Sequence, residues 1–249
     1  MPIIDLYKPL SNKPELFPDL IHPNAEGARL IAREVYAALT GNKAPNDEKA
    51  CTLPKVLIIG DSISIGYFEP ARQLLECKAL VYHNPGNAQH TANGLAKLDT
   101  WLGTTKWDVI HFNFGLHDIK YVDQAGKAVS VDKGTQQIPI DQYEKNLEQL
   151  AVKLKKTGAK LIFATTTPVP QGAASRVKGD ADRYNTAAKK IMKKHRIAVN
   201  DLYEYARPRL DEIQRKQNVH FHEEGSRLLA EQVAASILKA LEGPQGKAE

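Results

Sequence analysis

KVLIIGDSIS, residues 55–64, runs from a lysine through four aliphatic residues, Val56 to Ile59, into Gly60, Asp61 and Ser62. A short apolar run that stops at Gly-Asp reads as a buried strand, and the segment after it as the turn into a helix. A serine at that junction is held at the edge of a sheet, close to a helix N-terminus. There the helix dipole favours negative charge on its oxygen or on a neighbouring acyl oxyanion. Ser62 is thus a candidate nucleophile, although a serine in this place also serves as an ordinary helix N-cap.

Four later runs have the same character: ALVYHN (79–84), DVIHFNFG (108–115), KLIFATTTPV (160–169) and IAVNDLY (197–203). Between them, helical periodicity occupies 66–76, 92–102, 141–156 and 180–195. A final helical stretch, 223–241, opens with Glu223 and Glu224, where a helix dipole favours negative charge. Strand and helix alternating in this way predict an α/β fold, a parallel sheet with helices on both faces. In such folds the reactive groups gather at the carboxyl ends of the strands. Residues 121–140 have no helical period and read as a surface loop or small hairpin over the rim of the site.

The other strand ends add to the serine. NPGNAQH (84–90) follows the second strand, and its Gly86 can offer an unhindered backbone N–H. FGLHD (114–118) follows the third, where His117 can present a ring N–H near the same point. Acyl transfer needs donors of this kind converging on a developing oxyanion. His220 lies between the fifth strand and the last helix, a position that can return an imidazole to the serine as general base. Each residue alone has an ordinary structural reading; the four together, in this order, argue for an ester-cleaving site.

From about residue 55 to 241 the chain resembles the SGNH (GDSL-type) hydrolase family. GDSIS (60–64) looks like the family's first block, Gly86 stands at the second, GLHD (115–118) looks like the third, and His220 matches the closing block. The resemblance implies a three-layer α/β/α sandwich with a flavodoxin-like five-stranded sheet. It also implies Ser62 as nucleophile, His220 as general base, and an oxyanion hole of Ser62, Gly86 and His117, with no cofactor. Two residues depart from the pattern. His117 replaces an asparagine, and Gln217 replaces the aspartate that holds the histidine. The expectation is a Ser62–His220 dyad supported by Gln217, Asn218 or a backbone carbonyl, with lower activity than a full triad. The GLHD and VHF forms look most like carbohydrate-associated acetylesterases, so the implied substrate is an acetyl ester on a small molecule or saccharide. A thioesterase or lysophospholipase-type lipid esterase is the alternative. So is a non-catalytic carbohydrate-binding protein on a decayed hydrolase fold.

The closing block occurs twice. DLIHPNAEG (19–27) runs in step with QNVHFHEEG (217–225), and the match continues through Arg29/Arg227, Leu30/Leu228, Ala32/Ala230 and Val35/Val233. PIIDLY (2–7) likewise parallels IAVNDLY (197–203). Residues 1–40 therefore read as a remnant strand–loop–helix unit, 41–54 as a linker, 55–242 as the hydrolase domain and 243–249 as a tail. Asp19 stands three before His22, the spacing that Gln217 breaks before His220. Since 55–241 already supplies every station, His220 is expected to work and His22 to be a relic; a homodimer through the N-terminal unit is an arrangement the repeat allows.

Composition narrows the remaining classes. Of 249 residues, 42% are hydrophobic and 25% charged, ordinary values for a globular chain. No apolar run approaches the roughly 20 residues that cross a bilayer, and no secretory-signal layout opens the chain, so the expected setting is cytoplasmic. The net charge of +5 is spread over amphipathic stretches such as KLKK (153–156) and KKIMKK (189–194), which read as solvated helix faces rather than a nucleic-acid surface. Cys51 and Cys77 lack metal or redox spacing. His220 and His222 would point opposite ways on an extended segment, and no third ligand has matching spacing, so no metal is expected.

Overall fold

A computed structural model describes residues 4–11, 13–16, 23–42 and 53–242. The chain divides into two compact units, residues 1–52 and 53–249.

In the larger unit, five strands form one parallel sheet: β1 (Lys55–Ile59), β2 (Leu80–His83), β3 (Val109–Phe112), β6 (Lys160–Ala164) and β7 (Ala198–Asn200). Their order is β2-β1-β3-β6-β7, the flavodoxin-like arrangement. The apolar runs are continuous because both faces of the central strands are covered; every residue of β3 is buried. Helix α3 (Ser62–Leu74) packs with α9 (Glu223–Glu242), while α4 (Thr91–Leu102), α5 (Ile140–Lys155) and α6 (Asp180–His195) adjoin in sequence. Ile58, Phe112, Phe163, Leu147, Tyr184, Val233 and Ile237 fill the layers between.

Several boundaries differ from the sequence expectation: the strand expected over 108–115 ends at Phe112, that over 197–203 ends at Asn200 with Leu202 already helical, and two more differ for a clear local reason. The first helix begins at Ser62 rather than near 66, because Asp61 caps it by accepting from the Ile63 N–H at 2.9 Å. Apolar periodicity carries no record of that first turn. The strand expected to run to 169 ends at Ala164, where side chains take over the backbone bonding. Asn185 exchanges two 2.8 Å hydrogen bonds with the backbone of Thr166, and the Asn113 amide donates to the Ala164 carbonyl at 2.7 Å. Residues 121–140 hold a small antiparallel ribbon, β4 (Tyr121–Val122) with β5 (Thr135–Gln136).

In the smaller unit, α1 (Tyr7–Leu10) and a single turn, Pro14–Leu16, precede α2 (Ala25–Thr40). The strand expected over 2–7 is not formed among its described residues: Ile4 to Leu6 are irregular and Tyr7 opens α1. The reason is the Asp5 carboxylate, which accepts from the Tyr7 and Lys8 N–H groups at 3.0 and 3.3 Å and starts a helix. Asp201 does the same for α7 (Leu202–Ala206), accepting from Glu204 N–H at 3.3 Å.

The segments that open α2 and the last helix share local hydrogen bonding as well as sequence. Asn24 N–H donates to the Leu16 carbonyl at 2.7 Å, and His222 N–H, its match, donates to the Ile213 carbonyl at 2.9 Å. A Cβ on Gly27 would press on the Leu16 carbonyl and Cβ; one on Gly225 would press on the same two atoms of Ile213. The paired glycines are thus kept by the close approach of a helix N-terminus to the preceding turn. Asp19 and His22 lie outside the described residues.

Because Ile213 meets Gly225 through rigid backbone, Gly225→Ala is expected to cost about 1–3 kcal/mol. Urea denaturation of wild type and variant checks this, and an unchanged midpoint would contradict the tight packing at the start of α9.

Candidate active site

β1 delivers Ser62 through two tight contacts. Gly60 N–H donates to Asn84 Oδ1 at 2.9 Å, which ties the ends of β1 and β2 together. A Cβ at Gly60 would stand 2.7 Å from Ser64 Oγ, so only glycine lets α3 begin this close to the strand. Ser62 is the first residue of α3, and a first-turn N–H has no acceptor within its own helix. Asp61, buried beneath it, has its carboxyl pushed up to about 6 by burial, with the Arg176 charge pulling the other way.

His220 arrives on a short loop closed by two backbone bonds, Arg215 N–H to the His220 carbonyl and His222 N–H to the Ile213 carbonyl, both 2.9 Å. The Gln214 side chain pins that loop, its amide nitrogen donating to the Pro168 and Val219 carbonyls at 2.9 and 3.2 Å. The outcome is a 2.8 Å hydrogen bond between Ser62 Oγ and His220 Nε2. Behind the ring, Asn218 Oδ1 accepts from the His220 backbone N–H at 3.0 Å and lies 2.8 Å from Nδ1. A backbone N–H can only donate, so the Asn218 atom facing it is the oxygen. Nδ1 therefore carries the ring hydrogen, and Nε2 offers its lone pair to the serine hydroxyl. That is the tautomer a general base requires.

Gln217 does not hold the histidine. It sits at φ 52° in the turn that Asn218 N–H closes onto the Arg215 carbonyl, and its side chain packs against Gly172. The left-handed turn aims position 217 away from the ring and brings Asn218 under it, so the orienting amide is one residue later than the family spacing suggests.

The flanking stations follow from strand order, since β2 and β3 are the two neighbours of β1. Gly86, after β2, has φ 66°, which glycine adopts without strain; its carbonyl accepts from the Asn84 amide at 3.1 Å. No hydrogen-bond partner for the Gly86 N–H occurs among the described residues. His117, after β3, is pushed down to about 3, first by burial and then by Lys120 and Arg176. Its ring is thus neutral at pH 7 and presents one N–H donor. The buried Asp118 fixes this loop to α4, accepting from Thr91 N–H at 3.0 Å and from the Thr91 hydroxyl at 2.5 Å.

A cleft of about 400 Å³ opens beside the Ser62–His220 pair, lined also by Gly66, Arg215, Glu223 and Ser226. Gly86 and His117 do not line it. Three cations missed in the sequence act on the histidines of this region. Arg176 donates from Nε to the Leu116 carbonyl at 2.8 Å, directly before His117, and its charge reaches Asp61 and His220. Lys120 acts on His117, and Arg215 on His220. Burial, then Arg215 and Arg176, hold His220 below the usual histidine range. Nothing in the spacing of Lys120, Arg176 and Arg215 marks them, because only the folded loops bring them together.

A serine hydroxyl on an imidazole at the carboxyl edge of a five-stranded parallel sheet is the equipment of a carboxylic ester hydrolase. The chain belongs to the GDSL-like lipase/acylhydrolase family, whose model matches residues 58–228. No curated protein matches it. Solved structures share the fold. One is an acetyl xylan esterase, 20% identical, over 74% of this chain and 99% of that one, with TM-score 0.59. Another is a lipase/acylhydrolase from Enterococcus faecalis, 21% identical, over 74% and 95%, with TM-score 0.62. A third is a GDSL-like lipase from Bacteroides thetaiotaomicron, 16% identical, over 83% and 97%, with TM-score 0.57. At these identities the likeness is one of fold.

Two outcomes are expected of the histidine's surroundings. Asn218→Ala frees the ring to take the wrong tautomer and should lower kcat about 10–100-fold. A general base acts in its neutral form, and a nearby cation disfavours the imidazolium. Arg215→Gln should therefore raise the His220 pKa and move the acidic limb of the kcat/KM profile to higher pH. A limb that stays in place would show that Arg215 does not act on the ring.

Proposed function

We propose that this protein is a serine esterase that removes short acyl groups, acetyl above all, from carbohydrate. The carrying observation is the 2.8 Å contact between Ser62 Oγ and His220 Nε2, with Asn218 fixing the tautomer behind it. In this reading Ser62 attacks the ester carbonyl as His220 takes its proton. The carbonyl oxygen, now negative, is met by the N–H groups of Ser62 and Gly86 and by the neutral ring of His117. His220 returns the proton to the leaving alcohol, and water drawn in by the same imidazole releases the acyl group from Ser62.

Among the described residues the group behind His220 is an amide rather than a carboxylate, and this has a price in rate. A neutral amide stabilises the imidazolium less than an aspartate does, and Arg215 and Arg176 oppose that charge. Turnover below that of a full triad is the consequence, in exchange for a base that stays neutral at lower pH.

The small acyl group is supported by the cleft. Ile63 and Phe221 are the large apolar side chains in its lining; Arg215, Glu223 and Ser226 are polar or charged. A long acyl chain would gain little there from apolar burial, which disfavours the lipid-esterase reading. Saccharide as the alcohol half is supported by the acetyl xylan esterase among the structural neighbours. A non-catalytic carbohydrate-binding role accounts less well for the Ser62–His220 contact.

The test is hydrolysis of p-nitrophenyl acetate beside p-nitrophenyl octanoate. Ser62→Ala and His220→Ala should each lose about 10³-fold or more of kcat, with acetate preferred over octanoate in the wild type. His22→Ala should retain most activity. Octanoate preference would install the lipid reading, and Ser62-independent turnover would remove the esterase reading altogether.

A further inference from the structure

Next to the cleft runs a second and larger concavity. It lies between the segment after β6 (168–171), the start of α6, and the stretch from Tyr203 to Gln217, and has a volume of about 1190 Å³. Small-molecule sites usually enclose roughly 300–1,000 Å³. A groove beyond that range suits an extended ligand of several linked rings better than a single small alcohol. Arg215 lines both this groove and the cleft at Ser62 and His220, so the two meet at one side chain.

The lining has two chemical characters. One suits hydroxyl-rich rings. Tyr203 offers a half-buried aromatic ring, and the amides of Gln171 and Gln217 border the groove. Gln214 is 4% exposed and borders it too; both of its amide-nitrogen bonds go to the backbone, and its Oε1 has no partner. The other character is positive charge. Lys178, Arg207, Arg215 and Lys216 line the groove against a single carboxylate, Asp211. Arg207 is already paired with Glu204 at 2.8 Å. For Lys178, Arg215 and Lys216, no ion pair occurs among the described residues. Free cations along a groove with hydrogen-bonding amides select a ligand that carries both hydroxyls and negative charge.

We propose that the groove binds an acidic saccharide chain bearing uronate-type carboxylates, and that the acyl ester removed at Ser62 sits on that chain. The inference rests on the esterase reading for the second half of this statement, and on the groove alone for the first. Arg215 marks the passage from chain to ester, since its fork can hold a carboxylate on a sugar next to the acylated one. Lys178 and Lys216 hold carboxylates farther along. The tyrosine ring and the glutamine amides meet the sugar faces and hydroxyls between them.

Acetate release from acetylated polygalacturonate is compared with release from a neutral acetylated glucomannan. The acidic polymer should be preferred by about 10-fold or more in kcat/KM at low ionic strength, and the preference should shrink sharply in about 0.5 M salt. The double variant Lys178→Gln/Lys216→Gln should lose most of that preference. The variant Lys97→Gln/Lys145→Gln, which removes the same charge from α4 and α5, should keep it. Equal use of the two polymers, or a preference that both double variants share, would overturn the proposal while leaving Ser62-dependent hydrolysis of p-nitrophenyl acetate standing. Binding is read separately by calorimetry with Ser62→Ala. Trigalacturonate should bind in a salt-dependent way and mannotriose more weakly, an outcome that survives failure of the esterase reading. No discrimination between the two trisaccharides would overturn the groove assignment itself.

Discussion

The hydrogen bond between Ser62 and His220 joins residues 158 apart in the chain, and most of the larger unit is arranged so that it can form. Neither partner is held by its own neighbours alone. Ser62 is placed by the end of β1 and the Asp61 cap; His220 is placed by a loop that Gln214 fastens to the segment after β6. The crossing of α3 with α9 sets the separation between them. Gly66 permits that crossing, facing Ser226 at 3.2 Å from a notional Cβ, while Gly225 lets the start of α9 lie against Ile213 in the preceding turn. A side chain at either point would push α9, and the loop that precedes it, away from the serine.

Charge around the pair bears directly on the role proposed for His220. The atom behind the ring is an amide oxygen, and the guanidinium groups of Arg215 and Arg176 act against the ring's protonation. Buried Asp61 and Asp118 are both raised toward neutrality by the same burial that shelters them, to about 6 and about 7. Arg215 and Arg176 nonetheless place positive charge near the His220 ring. Such a field costs something when the imidazolium forms, yet it favours an oxyanion at Ser62 and draws anionic ligands toward the cleft. One cation, Arg215, thus links the chemistry proposed at Ser62 with the acidic saccharide proposed for the groove.

The fold was largely legible because its signal is local. Every strand of the parallel sheet lies within an apolar run bounded by Gly, Asn, Pro or Asp, and each long helix of the larger unit lies on an amphipathic stretch. The sequence match between 19–27 and 217–225 has a local structural counterpart, since Asn24 bonds to Leu16 as His222 does to Ile213, with Gly27 and Gly225 in close approach to the same two residues. Reading failed where one side chain outranked a pattern. Asp5 turns Tyr7 into the start of a helix despite the apolar run before it; and of the partners the sequence left open for His220, namely Gln217, Asn218 or a backbone carbonyl, the left-handed turn at Gln217 places Asn218 against Nδ1.

By itself the sequence determined the alternation of elements and the place of Ser62, Gly86 and His117 just after strand ends, since periodicity and turn chemistry act within a few residues. Tertiary structure alone decided which amide faces Nδ1, and that Lys120, Arg176 and Arg215 gather at one site. It also decided that a cationic groove adjoins the serine. Those relations depend on where separate loops come to rest after the sheet and helices pack, and electrostatic interactions between them act across space without regard to chain separation.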